Sequence, residues 1–389
     1  MTTRHAVISG ASIAGLSAAF WLRRTGWEVT VLERAPAFRD GGQNVDVRGT
    51  AREVLTRMGL FDAVKEQNTT ETGTVFVDSS GRVRAELPSA GPDGATAELE
   101  VLRGDLARTI LRHLPEGVEV LYGDTISRVE DGPDAVTVTT TGRTFHADLL
   151  VVAEGVRSTT RDLLFDDVDR RDLGIAMAFG TIPRTASDDS RWRWYTTTGG
   201  RQIHLRPDNH GTTRAMLACT GDFAVVDRAG ALSRFRDRFA DAGWEARRVL
   251  DGFDVSDDVY VDQLTQIRMP SWHRGRVCLV GDAAWCVTPM GGGGASLALV
   301  SGYVLAASLS GSGSGLTAYE EWMRPLVDDV QNFPGWLVPF AYPRTRLGLR
   351  LRHVADKAFT SRLLAPLTAR MTQVAASERA LPPIAVPQA

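Results

Sequence analysis

The sequence predicts an α/β chain: a parallel sheet wrapped by helices, an inserted antiparallel sheet and a C-terminal helical region. Three observations predict it. Residues 5–33 read as strand, Gly-rich turn, helix and strand, a βαβ unit that buries a parallel sheet on both faces. From Gly174 to Cys219, strand-length runs alternate with turn residues such as Gly199-Gly200 and Asp208-Asn209-His210-Gly211, the pattern of an antiparallel sheet. From Ala295 onward the composition is mostly helical. A chain of 389 residues has room for two or three such units.

The elements follow in order. His5–Ser9 is a short apolar run of strand length, Leu16–Arg24 has helical composition up to the breaker Gly26, and Glu28–Leu32 alternates and is β-branched. Gln43–Val47 alternates like an edge strand, and Ala51–Met58 reads as a helix stopped by Gly59. Short β pieces are expected at Thr74–Val77 and Arg82–Leu87, a loop at 89–96, a strand at Leu99–Leu102 and a helix from Asp105 to Leu114. Four further strands are expected at Val118–Leu121, Ile126–Val129, Ala135–Thr139 and Leu149–Val152. Helices at Ala229–Ala240 and Trp244–Leu250 precede a long strand, Val259–Ile267. Arg276–Val280 is a continuous apolar strand ending in Gly281-Asp282, and the Pro-rich tail from Leu381 reads as loose.

Composition excludes several function classes. With 44 basic and 47 acidic residues the net charge is −3, which gives no general attraction to nucleic acid. Only Lys65 and Lys357 are lysines, so neither a Schiff-base lysine nor a phosphate-loop lysine is expected. Cys219, Cys278 and Cys286 form no metal-type pair and are odd in number, which argues against a disulfide scaffold and for a reducing, cytoplasmic setting. No run approaches the roughly 20 apolar residues of a membrane span, and no targeting segment is read at the N-terminus. The expected partner is a small molecule, with no nucleic acid, no membrane and no metal, and the chain is expected to be a monomer or dimer.

Gly10-Ala11-Ser12-Ile13-Ala14-Gly15 occupies the first βα turn. In the dinucleotide fingerprint the first Gly makes the tight turn, the second lets backbone approach a pyrophosphate, and the third lets the helix pack on the strand. Ser12 stands where the second Gly is usual; its hydroxyl can donate to a phosphate oxygen. Free N–H groups at the helix start then hold the phosphates. Glu33 ends the second strand, placed to bind a ribose hydroxyl, with Arg34 beside it. An acidic residue there favours NAD or FAD over NADP as the fixed nucleotide.

Two later segments carry a resemblance. Val151–Arg161 (VVAEGVRSTTR) and Arg276–Leu297 (RVCLVGDAAWCVTPMGGGGASL) resemble the second and third motifs of the class A FAD-dependent monooxygenases, the para-hydroxybenzoate hydroxylase family. With the N-terminal fingerprint, the three motifs stand in the family's order over roughly residues 4–310. Within that family the chain looks most similar to the TetX-like tetracycline-modifying and aromatic-polyketide hydroxylase branch.

The resemblance implies a Rossmann-type FAD-binding domain (1–72, 97–170 and 268–312), an inserted antiparallel substrate sheet (73–96 and 171–267), C-terminal helices (313–380) and a flexible tail (381–389). It implies FAD as cofactor, with NADPH or NADH and O2 as co-substrates. A flavin C4a-hydroperoxide would hydroxylate an aromatic or polycyclic molecule, with Baeyer–Villiger insertion as the second outcome. Gly281 would permit close approach, and Asp282 would accept ribityl hydroxyls. The turn Pro289–Gly294, with Gly292, Gly293 and Gly294, would lie against the flavin ring, and a helix starting at Ala295 would aim its positive end at the pyrimidine. Arg48 and Arg103 match arginines that clamp the flavin's phosphate and ribityl side. Three positions depart from the family pattern: Glu154 for Asp, Trp285 for His and Ser296 for Asn.

For the substrate, the candidates are Trp192, Trp194, Tyr195, His204, Arg206, Met216, Trp285 and Pro289, with His204 as the candidate base. Trp192 and Trp194 share a strand face, as do His204 and Arg206. Trp192-Arg193-Trp194 is not the halogenase box, since Tyr195-Thr196-Thr197 follows and a suitable lysine is absent. Two other classes stay open at this point: a flavin reductase of the geranylgeranyl-reductase type, and a non-catalytic FAD- or substrate-binding protein.

Overall fold

The computed structural model describes residues 3–88, 99–223, 227–311, 315–360 and 379–385. The loop expected at 89–96 and the helical stretch expected through 361–378 lie outside them. Two large sheets organise the rest. The first has six strands in the order His273–Arg274, Val277–Leu279, Leu149–Val152, His5–Ser9, Glu28–Glu33 and Val118–Tyr122. His5–Ser9 pairs in parallel with strands on both sides. The chain adds Glu28–Glu33 on one side of it and later returns to add Leu149–Val152 on the other, and a crevice opens at the carboxyl ends of the parallel strands at this switch in strand order. These strands read as near-continuous apolar runs because both faces are covered, by helices such as Ile13–Arg24 and by a three-stranded sheet of Ile126–Asp131, Val136–Thr140 and Thr144–Ala147. Val7, Ile8, Val31, Leu150, Val151 and Cys278 are fully buried.

The helix Ile13–Arg24 packs against Gly294–Ser310. Gly302 makes that approach possible: a Cβ there would lie 2.4 Å from the Ala18 amide nitrogen. Both helices are buried along almost their whole length, so their sequences are apolar all round rather than amphipathic.

The second sheet has seven strands in the order Tyr260–Arg268, Asp169–Ile182, Thr213–Thr220, Arg201–Pro207, Trp192–Thr197, Gly73–Val77 and Val83–Pro88. Side chains alternate between its faces. Ala176, Ala178, Tyr195, Ile203, Leu205 and Leu217 pack with Phe235, Val249 and Phe253 of the helices Arg228–Phe239 and Ala246–Val255. Ile175, Met177, Phe179 and Ala218 face the other way, toward Ala341 and Tyr342.

Several expectations shift by a few residues. The helix expected from Asp105 begins at Arg103 and ends at Arg112, the inserted sheet's first long strand starts at Asp169 rather than Gly174, and Thr144–Ala147 is a strand the sequence did not announce. The tail is corrected more substantially. Within 379–385 the chain is anchored at alternate points: Leu381 is buried, Tyr303 Oη donates to the Pro382 carbonyl at 2.8 Å, and Ile384 lies against the main core. Proline carbonyls and apolar side chains found partners on Gly294–Ser310, which composition could not show. No helix among the described residues is long and apolar enough to cross a membrane.

Candidate active site

The crevice deepens into one cavity of about 570 Å³ that runs from the fingerprint turn to the second sheet, within the usual range for small-molecule sites. Several turns meet at its fingerprint end. Gly10 turns the chain with φ +108°, its N–H donating to the Leu32 carbonyl at 2.7 Å. Ser12 caps the helix, yet its side chain takes no capping bond; instead Arg103 Nη2 donates to its Oγ at 3.1 Å. The first N–H groups of a helix lack intrahelical acceptors, so Ser12, Ile13 and Ala14 present donors to the cavity they line.

Glu33 accepts the Ala11 N–H at 2.9 Å on one oxygen and the Ala35 N–H at 2.8 Å on the other. Each oxygen retains a further acceptor site, and the side chain lines the cavity. Glu154, the longer carboxylate of the second motif, ties four donors together: the Ser9, Ser158 and Thr160 hydroxyls and the Thr160 N–H. It clamps residues 154–160 to the end of the first strand. The Asp282 carboxyl opens onto the cavity but sits deep in the molecule; that low-dielectric setting pushes its pKa up, opposed by the Arg103 guanidinium.

The residues present fit an adenine–flavin dinucleotide. A Cβ at Gly10 would lie 2.4 Å from the Ala153 carbonyl oxygen. Gly292 and Gly293 turn through φ +70° and +69° and hand over to the helix Gly294–Ser310, whose start lines the cavity with Ala295 and Pro289. Arg34, Arg39 and Arg103 line this end with no carboxylate partner among the described residues. Free guanidinium groups, helix N–H groups and a side-chain-free turn are what a diphosphate and a flat ring require.

Other expected residues are placed differently. Gly15 does not line the cavity; a Cβ there would lie 1.9 Å from the Gly10 carbonyl oxygen, so it serves helix–strand packing. Gly281 likewise lets the third motif approach Ala14 (2.7 Å from a would-be Cβ) rather than the cavity. Arg48 lies off the cavity, paired with Asp46 at 3.1 Å, and its N–H donates to Ser296 Oγ at 3.2 Å. Ser296 in turn donates to the Asp46 carbonyl at 3.0 Å, fastening this segment to the start of the helix.

The second sheet supplies the opposite wall. Register sets Phe76, Trp194, His204, Met216, Phe179 and Tyr260 directly opposite one another across six strands. Trp192 stacks on Trp194, with centroids 5.2 Å apart and planes 18° apart, and Trp194 lies 4.3 Å from the His204 ring. Tyr195 is a correction. It points to the helix face of the sheet, where its hydroxyl donates to the Ala242 carbonyl at 2.8 Å; alternation puts it opposite to Trp192 and Trp194. Trp285 is a second correction. It is buried against Trp272 (4.4 Å) and Tyr319 (6.2 Å) in the first sheet's core, away from the cavity.

His204 is corrected as a base. Trp192 Nε1 can only donate, and it donates to His204 Nδ1 at 3.1 Å. The proton of His204 therefore sits on Nε2, which donates to Gln202 Oε1 at 3.1 Å. Gln202 Nε2 continues to the Ala341 carbonyl at 2.7 Å. Both ring nitrogens are engaged, and burial, then the Arg206 and Arg352 charges, hold the imidazole well below the ordinary histidine value. Accepting a proton would break the Trp192 bond. The wild-type kcat/KM profile is therefore expected to show no ionisation near about pH 6.5. His204→Phe is expected to weaken ligand binding roughly tenfold by unseating Trp192; an ionisation that vanishes in His204→Gln would sink this assignment.

Arg206 lines the cavity beside Trp192, its guanidinium carbon 4.2 Å from the ring centroid. It donates to Glu71 at 2.9 Å and to Glu100, whose other oxygen accepts from Asn44 and Thr69 at 2.7 Å each. Burial pushes the Glu71 carboxyl up to about 8 in spite of Arg206. Sequence reading missed Glu71 and Glu100, as it missed Met177, Phe179 and Tyr260, because strand register alone brings them here. Asp262 also lines this end, paired with Arg157 at 2.9 Å.

This arrangement defines an FAD-binding oxidoreductase. The model of the FAD binding domain family matches residues 3–333, and the chain belongs to that family as a flavin-dependent monooxygenase. It is 33% identical over 389 residues to the flavin-dependent monooxygenase eupH of Phoma sp., covering 90% of each chain. It is 32% identical to a flavin-dependent monooxygenase of Legionella longbeachae, covering 85% of this chain and 88% of that one. Among solved structures it is similar to the tetracycline destructases Tet(55) (TM-score 0.81, 26% identity, covering 100% and 99% of the two chains) and Tet(51) (TM-score 0.78, 28% identity, covering 93% and 98%).

Proposed function

We propose that this protein uses NAD(P)H and O2 to hydroxylate a flat aromatic or polycyclic small molecule. The observation that carries this reading is a single cavity with a dinucleotide-type turn at one end and a stacked Trp192–Trp194–His204 wall at the other. FAD, when bound, supplies the redox chemistry: it accepts hydride from NAD(P)H and activates O2. The chain's own residues bind, orient and exclude water. Ser12 and the helix N–H groups hold the diphosphate with Arg103, Glu33 takes ribose, and Asp282 takes the ribityl hydroxyls. Pro289 and the turn Gly292–Gly294 back the ring, with the helix N-terminus at Ala295 stabilising negative charge on it.

The tryptophan pair stacks on the substrate ring. Met216, Met290 and Tyr342 close the apolar sides, so that water is kept from the reacting atoms. Likeness to tetracycline destructases and to a fungal monooxygenase supports a polycyclic or antibiotic-type substrate, with ring hydroxylation ahead of Baeyer–Villiger insertion. The experiment is an aerobic NAD(P)H-oxidation screen with aromatic candidates. Stoichiometric O2 uptake and a product heavier by one oxygen are expected. A substrate that turns over equally well without O2 would replace this reading with that of a flavin reductase.

A further inference from the structure

We propose that the sheet end of the cavity selects an uncharged flat ring system and discriminates against the same ring bearing a carboxylate. The inference rests on the aromatic-hydroxylase reading above and narrows its substrate class. It starts from the distribution of charge along the cavity. At the fingerprint end, Arg34, Arg39 and Arg103 form no ion pair among the described residues, although the Arg103 charge acts on Asp282, Asp262 and Tyr260, so an anion placed there meets guanidinium groups that hold no carboxylate.

At the sheet end every cavity-lining guanidinium among the described residues is already paired. Arg206 holds Glu71 and Glu100, Arg214 holds Asp208 at 3.2 Å and Asp258 at 2.8 Å, and Arg157 holds Asp262 at 2.9 Å. Five carboxyl groups thus face three guanidinium groups. An aryl carboxylate entering this wall would lose its water and meet guanidinium groups that each already hold a carboxylate, a cost that a neutral ring does not meet.

The polar groups closest to the stacking surface cannot substitute. Arg206 lines the cavity, but its guanidinium lies over the Trp192 ring, 4.2 Å from the centroid, and is held by Glu71 and Glu100. His204 is neutral, with one nitrogen accepting from Trp192 and the other donating to Gln202. What remains is π surface and apolar side chains, Trp192, Trp194, Met216 and Phe179, which favour a flat, uncharged ligand.

The test uses the FAD-loaded enzyme and two ligand pairs matched in ring: 2-naphthol with 3-hydroxy-2-naphthoate, and 1-hydroxyanthraquinone with its 2-carboxylate. Dissociation constants are read from the visible flavin spectrum and from quenching of tryptophan fluorescence. In each pair the neutral member is expected to bind at least about tenfold more tightly. Glu100→Gln strips a counter-charge from Arg206 and is expected to narrow the gap; Asp258→Asn does the same at Arg214 if the first variant does not fold. A carboxylate that binds as well as its neutral partner overturns the proposal, as does a panel in which no member perturbs either signal. A gap unchanged in the folded variants overturns the role of the paired charges. NADPH-dependent O2 uptake, followed in parallel, separates the two readings. If uptake fails while the preference stands, the monooxygenase substrate reading falls. If the preference fails while uptake stands, this proposal falls alone.

Discussion

Gly10→Ala is expected to give a protein of much reduced stability that holds no FAD. The added Cβ would sit 2.4 Å from the Ala153 carbonyl oxygen and 2.8 Å from its carbon. Both atoms are backbone in the loop that leaves the neighbouring parallel strand, and the Ala153 N–H is itself bonded to the Ser9 carbonyl at 2.7 Å. No rotamer relieves such a contact. The φ of +108° at Gly10 adds strain that any L side chain meets. The expected loss is about 3 kcal/mol or more, and the displaced turn moves the Ser12–Ala14 N–H groups out of register with a diphosphate. Thermal unfolding and the flavin absorbance of the purified protein check this together. Gly123→Ala is the control: its φ is +72°, but a Cβ there meets nothing within 4 Å, so a loss of only about 1 kcal/mol is expected. A yellow Gly10→Ala protein melting with the wild type would sink the argument.

Arg206→Met is the second large effect. Glu71 and Glu100 are almost wholly buried, and Arg206 is the cation that both share. Removing it leaves uncompensated buried acid groups, a change that typically costs about 3–5 kcal/mol. The Trp192 ring loses its guanidinium support as well. Urea unfolding measures the loss, and a value under about 1 kcal/mol, the size of an exposed pair, would show that the cluster is solvated. Replacing all three charges together, with Glu71→Gln and Glu100→Gln added to Arg206→Met, is expected to recover much of the loss.

Glu71 gives the same cluster a pH signature. Its folded value, about 8, lies above its ordinary 4.5, so the native state binds the proton more tightly than the unfolded chain. The associated stability is fully present below pH 4.5 and fades as pH rises toward about 8. Glu71→Gln keeps an acceptor for Arg206 and cannot titrate. Its unfolding free energy is expected to be flatter than the wild type's over that window, as denaturant melts at both ends would show.

Much of the nucleotide end was legible because its requirements are local. A tight turn after a strand, a helix starting on small residues and an acid at the next strand's end are separated by fewer than about 30 residues. The substrate wall was legible only by parity along single strands. Parity joined Trp192 to Trp194 and His204 to Arg206, and the same rule, applied to Tyr195, turns it away from the cavity. Trp285 carried no local signal at all. It ends the four-residue helix Asp282–Trp285 inside the third motif, ahead of the Gly-rich turn, and only the packing of Trp272 and Tyr319 from other segments decides which way it faces.

The sequence by itself determined the α/β class, the fingerprint crevice and the flavoprotein family, because backbone turns and helix starts depend on residue types that lie next to one another. Tertiary structure decided everything that depends on which strand lies beside which. It set the row from Phe76 to Tyr260, engaged both nitrogens of His204, fastened the Arg48 amide to Ser296, and brought Glu71 and Glu100 to Arg206 from more than 100 residues away. Pairing register and burial are properties of the assembled sheet, and they fixed the charge state of the wall that the substrate meets.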